Sequence, residues 1–292
     1  MIYTVAGLSF AVHATDEQLS HLMPNYTRFA ATACGTSFLF EREEKLLFEV
    51  SFGVPYMQTC KVEWQTQVHE GMQTTLYMVD NVTMELFATY KEHTLRATIH
   101  TARHSLCIHE LPDSLYAPLL NVFVQFCYNY FALPKQVCMI HASTVIAYNK
   151  AYLFLGKSGT GKSTHAKLWQ SEYAHVEALN DDGPILRQAG GVWYACGSPW
   201  SGKGRCYKQA CYPIGAMVRL QQEKYNQITR YSVAESYIAI MPSLFKWLKD
   251  KQLFESQCAW VAQMVQQLPV YLLQCLPNAE AARLCYQTVV HE

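Results

Sequence analysis

Apolar and polar positions alternate along residues 94–100, with Leu95, Ala97 and Ile99 on one face and Arg96, Thr98 and His100 on the other. A period of two is the pattern of a half-buried strand. Short runs at residues 3–12, 37–41, 46–50, 60–68, 72–78, 83–90 and 105–109 have the same strand-like character. Many short strands at close spacing predict a β-rich domain of antiparallel sheet. Thr15-Asp-Glu-Gln18 places a hydroxyl three residues before an amide side chain, the pattern that caps a helix, here a short one through Leu22.

Residues 114–133 carry no charge. Asn121, Gln125 and Asn129 recur every fourth residue and so share one helical face, while Leu119, Val122, Val124, Phe126, Cys127 and Phe131 fall largely on the others. A mostly buried helix fits this pattern better than a membrane span, because the continuous apolar length is lacking. Leu133-Pro134-Lys135 ends the helix. The expected organisation is a β-rich domain over residues 1–111, a connecting helix and linker over 112–136, and a second domain over 137–292.

In the second domain, residues 138–148 and 151–155 flank Asn149-Lys150, and residues 184–188 and 192–196 flank Gly190-Gly191; both read as hairpins. Residues 176–182 and 212–220 read as strands and residues 164–170 as a helix. Further on, the pattern turns helical over 233–248, interrupted by Pro242, and over 257–267. Residues 270–275 form a strand between prolines, and Asn278 caps a helix over 279–289. The fold class expected is α+β, with a mixed sheet and C-terminal helices in the second domain.

Between the run 151–155 and the helix that follows stands Gly156-Lys-Ser-Gly-Thr-Gly-Lys-Ser163. This is the G-x-x-x-x-G-K-[ST] phosphate-binding (Walker A) pattern, and it has the strand before it and the helix after it that the motif requires. Gly156, Gly159 and Gly161 admit backbone conformations closed to residues with a Cβ. They turn successive N–H groups of the loop, including those of Ser158, Thr160 and Thr164, toward phosphate oxygens. Lys162 supplies a cation for the β- and γ-phosphates, Ser163 a hydroxyl for Mg²⁺, and the helix the positive end of its dipole.

Less than two dozen residues later the run 176–182 ends in Asp181-Asp182. Alone, Asp-Asp-Gly-Pro reads as a solvated turn. After a phosphate loop, one carboxylate can hold the metal and the other can take the proton of an attacking hydroxyl. Gly197-Ser-Pro-Trp-Ser-Gly-Lys-Gly-Arg205 brings two cations, and Arg205 is the candidate by position to neutralise the transferred group. A flexible surface loop is the other reading of that segment. Trp200, Trp247 and Trp260 suit either a nucleotide base or the core.

His141-Ala-Ser143, then Gly-x-Ser-Gly-x-Gly-Lys-Ser, then Asp-Asp resemble the nucleotide site shared by bacterial HPr kinase/phosphorylase and ATP-dependent phosphoenolpyruvate carboxykinase. The likeness to HPr-kinase-like proteins is the closer one, through the histidine upstream of a hairpin that leads into the loop. The resemblance implies a kinase (transferase) using ATP and Mg²⁺, with Asp181 as general base, Asp182 as Mg²⁺ ligand and His141 beside the acidic pair. The segment 197–205 is similar to a Pro-Trp-Ser-Gly stretch of uncharacterised members and peptide-cluster kinases of that group. An Arg-Gly-Leu-Gly type segment after the acidic pair, and the carboxykinase's substrate-binding residues, are not found. The resemblance therefore speaks to the nucleotide and not to the acceptor, which stays open between a protein, a peptide and a small molecule. A nucleotide-binding partner protein that transfers nothing is the alternative.

Composition narrows this further. Half of the 292 residues are hydrophobic and 16% are charged, enough for a large core. The formal net charge is zero, which argues against electrostatic binding to nucleic acid or an anionic membrane. Eleven cysteines lack the spacing of a disulfide framework; many, such as Cys127, Cys258 and Cys285, sit in apolar runs and read as small core residues, and Cys206 and Cys211 are discounted as a zinc pair. Histidines 93, 100, 104 and 109 read as strand and surface residues rather than a metal site. Met1-Ile-Tyr-Thr-Val lacks the features of a signal peptide, so the expected location is the cytoplasm. A homo-oligomer is left open.

Overall fold

Ala6 and Gly7, with φ of 47° and 82°, turn the first apolar run back on itself. Two successive residues of positive φ make the tight turn whose twist suits a hairpin. In the computed structural model this hairpin is β1 (Ile2–Val5) and β2 (Leu8–Val12). The structure describes residues 1–31, 40, 45–53, 62–69, 71–113, 117–202, 204–245, 247 and 250–291. They divide into two compact units, Met1–Lys135 and Gln136–Glu292.

In the first unit Thr15 caps α1 (Asp16–Leu22): its Oγ1 accepts from the Gln18 N–H at 3.2 Å, and Gln18 Oε1 accepts from the Thr15 N–H at 2.9 Å. After β3 (Glu49–Phe52) come β4 (Val62–His69), β5 (Met72–Met78), β6 (Thr83–Tyr90), β7 (His93–His100) and β8 (Ser105–Ile108). They form an eight-stranded sheet in the order β1-β2-β3-β8-β7-β6-β5-β4. The sheet is mixed rather than antiparallel, because β3 runs parallel to both β2 and β8. Spacing along the chain predicts how sequence neighbours pair and is blind to a strand inserted between distant ones. The strand expected at 37–41, Phe40 apart, lies outside the described residues, as do residues 60–61.

The uncharged stretch forms α2 (Ala117–Ala132), which packs on β6 and β7. It belongs to the first unit and is not a separate connector, since its apolar faces close the core over that sheet. Its polar positions are satisfied inside the unit. Tyr26 donates to Asn121 Oδ1 at 2.6 Å, and Asn129 donates to Gln125 O of its own helix at 3.0 Å. Among the described residues no helix is long and apolar enough to cross a membrane.

The second unit contains β9 (Val137–Met139), β10 (Ala142–Ala147), β11 (Lys150–Leu155), α3 (Lys162–Glu172), β12 (Glu177–Asn180), β13 (Ile185–Ala189), β14 (Val192–Cys196), β15 (Cys211–Gln222), β16 (Gln227–Arg230), α4 (Val233–Ile240), α5 (Lys251–Val265), β17 (Val270–Cys275) and α6 (Ala279–His291). Its nine-stranded sheet runs β12-β10-β11-β15-β14-β13-β9, with β17 joined to β15 and β16 to β17. The long strand β15 links two halves: its start pairs with β14, and its later part lies parallel to β11 and β17. The run 138–148 is split into β9 and β10, which pair in different halves. The turn before β11 is Tyr148-Asn149, with φ of 47° and 59°, one residue earlier than expected. Asn278 does cap α6, its Oδ1 accepting from the Ala281 N–H at 2.9 Å.

The core beside the glycine loop at residues 156–161 lies between the sheet and the packed pair α3 and α6. Trp169 of α3 is fully buried, edge-on to Phe154 of β11 at 5.2 Å and to Tyr286 of α6 at 5.0 Å. This packing fixes where α3 starts relative to the end of β11. Cys196 and Cys211, directly opposed on β14 and β15, form a disulfide. The cysteine pattern did not foretell it, because strand pairing brings the two together. Such bridges are rare where thiols are kept reduced, which sets this one against the cytoplasmic expectation.

Candidate active site

The strand β11 ends at Leu155, and the chain turns through Gly156, Gly159 and Gly161, with φ of 150°, 81° and 102°, into α3. Gly161 stands at the helix N-cap in the left-handed region, where a side chain would be strained. Thr160 closes the loop on itself: its N–H and its Oγ1 both donate to Lys157 O, at 3.2 and 2.7 Å. Ser158, Ser163 and Thr164 are exposed.

Lys162, in the first turn of α3, is buried. Its Nζ donates to Gly156 O at 2.9 Å, to Lys157 O at 3.3 Å and to His141 Nε2 at 2.8 Å. An ammonium has three protons, and each has an acceptor here. Desolvation lowers the Lys162 pKa, while the negative charge of Asp182 works to raise it. The other ring nitrogen of His141 lies 3.0 Å from Asp182 Oδ1. Because Nε2 accepts from the ammonium, the network assigns the ring proton to Nδ1, from which it is donated to Asp182. Lysine, histidine and aspartate thus form one chain from the loop to the acidic turn.

His141 holds this place because it sits at the break between β9 and β10. Its N–H goes to Ser243 O at 2.7 Å, while the Ala142 N–H goes to Asp182 O at 3.0 Å. Ser143, the next inward residue of β10, makes a second link. Its Oγ lies 3.2 Å from Ser163 Oγ and donates to Asp181 O at 3.2 Å.

The acidic turn is built around Asn180, at the end of β12 and 1% exposed. Its Oδ1 accepts from the N–H groups of Asp182 and Gly183 at 2.9 and 2.8 Å. Its Nδ2 donates to Ser198 O, Ser198 Oγ and Trp200 O at 3.2–3.3 Å. Ser198, fully buried, donates to Gly183 O at 2.6 Å. One amide and one hydroxyl therefore fasten the Asp-Asp turn to the segment 197–205. That segment closes on Asp181: Oδ1 accepts from Ser201 Oγ and from the Gly202 N–H at 2.8 Å, and Oδ2 accepts from the Gly204 N–H at 2.5 Å. A Cβ on Gly204 would run into Asp181 Oδ2.

Of the residues expected at the site, His141, Lys162 and Asp182 are linked through their side chains, and Ser143 touches both Ser163 Oγ and the Asp181 carbonyl. Arg205 is exposed, with its backbone N–H on Gly202 O at 3.2 Å. Burial pushes the Tyr207 phenol up, the Arg205 charge lowers it and the Asp181 charge raises it, so both charges lie within reach of that ring. Lys203 lies outside the described residues. Trp200, Trp247 and Trp260 are buried at 2–3% exposure and are core residues, not a stacking surface. Ser143, Asn180, Ser198 and Ser201 were given no role from the sequence. The signal available was Asn180 directly before the acidic pair, where an Asx turn is to be expected.

Among the described residues no group of three or more His, Cys, Asp or Glu is placed to hold a metal ion. The donor set of Ser163 and Asp182, a hydroxyl and a carboxylate, is hard and oxygen-only. It fits Mg²⁺, which binds through one or two carboxylates with phosphates and water completing its shell.

No protein-family model matches this sequence, and no curated protein matches it at a significant level. Among solved structures, the HPr(Ser) kinase/phosphatase from Coxiella burnetii is similar over 52% of this chain and 88% of its own, at 12% identity and a TM-score of 0.33. That is a distant structural relationship and says nothing of the reaction here.

Proposed function

We propose that the second unit is an ATP-dependent phosphotransferase that moves the γ-phosphoryl group to a hydroxyl. The observation that carries this is the chain Lys162–His141–Asp182, which couples the lysine at the start of α3 to the acidic turn that follows β12. A glycine turn alone has no need of it. Loop N–H groups from Ser158 to Thr164 bind the phosphates, and Lys162 exchanges its bonds to Gly156 O and Lys157 O for the β- and γ-phosphate oxygens. Asp181 takes the proton of the acceptor hydroxyl, and His141 holds Asp182 in position. Arg205 meets charge on the transferred group from the solvent side. Mg²⁺, held by Ser163 and Asp182, would neutralise phosphate charge. The acceptor is a serine of a protein or peptide, or a small-molecule hydroxyl.

A second reading, a nucleotide-binding protein that transfers nothing, is favoured by one observation: the Asp181 carboxylate is already engaged by Ser201, Gly202 and Gly204. Release of inorganic phosphate from MgATP, with water in place of the acceptor, separates the two. Slow release by the wild type, lost in Asp181→Asn and Lys162→Ala, supports transfer. Thermal stabilisation by nucleotide with no release supports the second reading.

A further inference from the structure

Resting on the phosphotransferase reading, we propose that Ser201 is itself a phosphoryl acceptor, so that the second unit phosphorylates its own 197–205 segment. The Ser201 hydroxyl donates to Asp181 Oδ1, the bond an acceptor must make with the proposed base. The Cys206 N–H donates to Ser201 Oγ at 2.9 Å. A serine hydroxyl has one proton and two lone pairs. With the proton on Asp181 and one lone pair on Cys206, the rotor is fixed and one lone pair stays available for attack.

The flanking chain is held as a bound peptide would be, through its backbone. The Trp200 N–H bonds to Ser198 Oγ at 3.1 Å, and Trp200 O accepts from Asn180 Nδ2 at 3.2 Å. The Gly202 and Gly204 N–H groups follow on Asp181 itself. Ser143 joins this side to the phosphate side, touching Asp181 O and Ser163 Oγ at the same distance of 3.2 Å. Ser201 is half-buried, so the hydroxyl is not sealed in the core.

The step balances with ATP as the donor. Ser201 Oγ forms a bond to the γ-phosphorus, and the bond from that phosphorus to the β,γ-bridging oxygen breaks. ADP leaves with the electron pair, and the hydroxyl proton passes to Asp181. Once Asp181 has given that proton up to solvent, the phosphoserine dianion stands beside a carboxylate and is repelled by it. The modified segment then leaves Asp181 open to an external hydroxyl.

The test uses the full chain with MgATP, followed by intact mass and fragment mapping, with thermal shift read in parallel. The expected result is one phosphoryl group on Ser201, gained at a rate per chain independent of protein concentration. Ser201→Thr should still be modified, and Ser201→Ala and Lys162→Ala should not. Stabilisation by nucleotide with Ser201 unmodified, or with phosphate only elsewhere, overturns this inference and leaves the nucleotide site standing. No stabilisation by nucleotide overturns the phosphotransferase reading and this inference with it.

Discussion

The loop's own hydrogen bonds, from Thr160 and Lys162 to Lys157 O and Gly156 O, join residues six or fewer apart, and Ser158, Gly159, Ser163 and Thr164 are exposed. Across the acidic turn, the bonds of Asn180 and Asp181 to the 198–204 segment and the bond of Ser198 to Gly183 span 15–23 residues, and Asn180 and Ser198 are buried. Apart from the links of Lys162 to His141 and of Ser163 to Ser143, one side of the site is a local structure whose internal bonds a ligand would replace at little cost. The other is a tertiary structure whose bonds are part of the fold. Substitutions on the loop should therefore change binding and transfer, and substitutions behind the acidic turn should change stability first.

The largest effect falls on Lys162. Lys162→Ala should lower transfer by about 10²–10³-fold, the usual loss for one preorganised charge-stabilising donor, with little change in the urea midpoint. A midpoint that drops as far as the rate would place Lys162 in the fold and erase the contrast. Behind the acidic turn, Asn180→Ala leaves the Asp182 and Gly183 N–H groups and the Ser198 carbonyl without the bonds Asn180 makes to them. It should cost about 2–4 kcal/mol in urea unfolding. A loss of transfer without that cost would make Asn180 a loop-like residue.

The helix after the loop gives a pH signature. Burial lowers the His165 pKa from 6.5 to about 4, and Trp169 Nε1 donates to its Nε2 at 3.2 Å. Between those values the unfolded chain binds the extra proton, so stability falls as pH falls from about 6.5 to about 4, by about 3 kcal/mol in all. Urea midpoints across that range should show the slope, and His165→Gln should flatten it. The smallest effect is at Thr160, whose hydroxyl bond to Lys157 O is partly exposed. Thr160→Val should cost about 0.5–1.5 kcal/mol or less, read by thermal melting.

The same contrast governs what the sequence could tell. The loop was legible because strand, glycines, lysine and helix are neighbours, and the capped α1 and α6 were legible for the same reason. Asp181 and Asp182 were singled out by their place soon after the loop and His141 by a resemblance, neither by periodicity. Asn180 and Ser198 were not, since an asparagine before two aspartates looks like any turn until the segment 18 residues on folds over it. The parallel place of β3 and the Cys196–Cys211 bridge were hidden by the same cause: each depends on which distant strands pair. The uncharged run was read correctly as helix but assigned away from the sheet it packs on, because an apolar face does not name its partner.

Calorimetric titration with ATP, GTP and pyrophosphate, each with and without Mg²⁺, on the wild type and Lys162→Ala puts the phosphate loop to the most direct test. Mg²⁺-dependent binding of at least one of the three, weakened about tenfold or more in Lys162→Ala, is the predicted result. No heat from any of them with the wild type, or equal affinity in both proteins, would contradict a nucleotide site at residues 156–163.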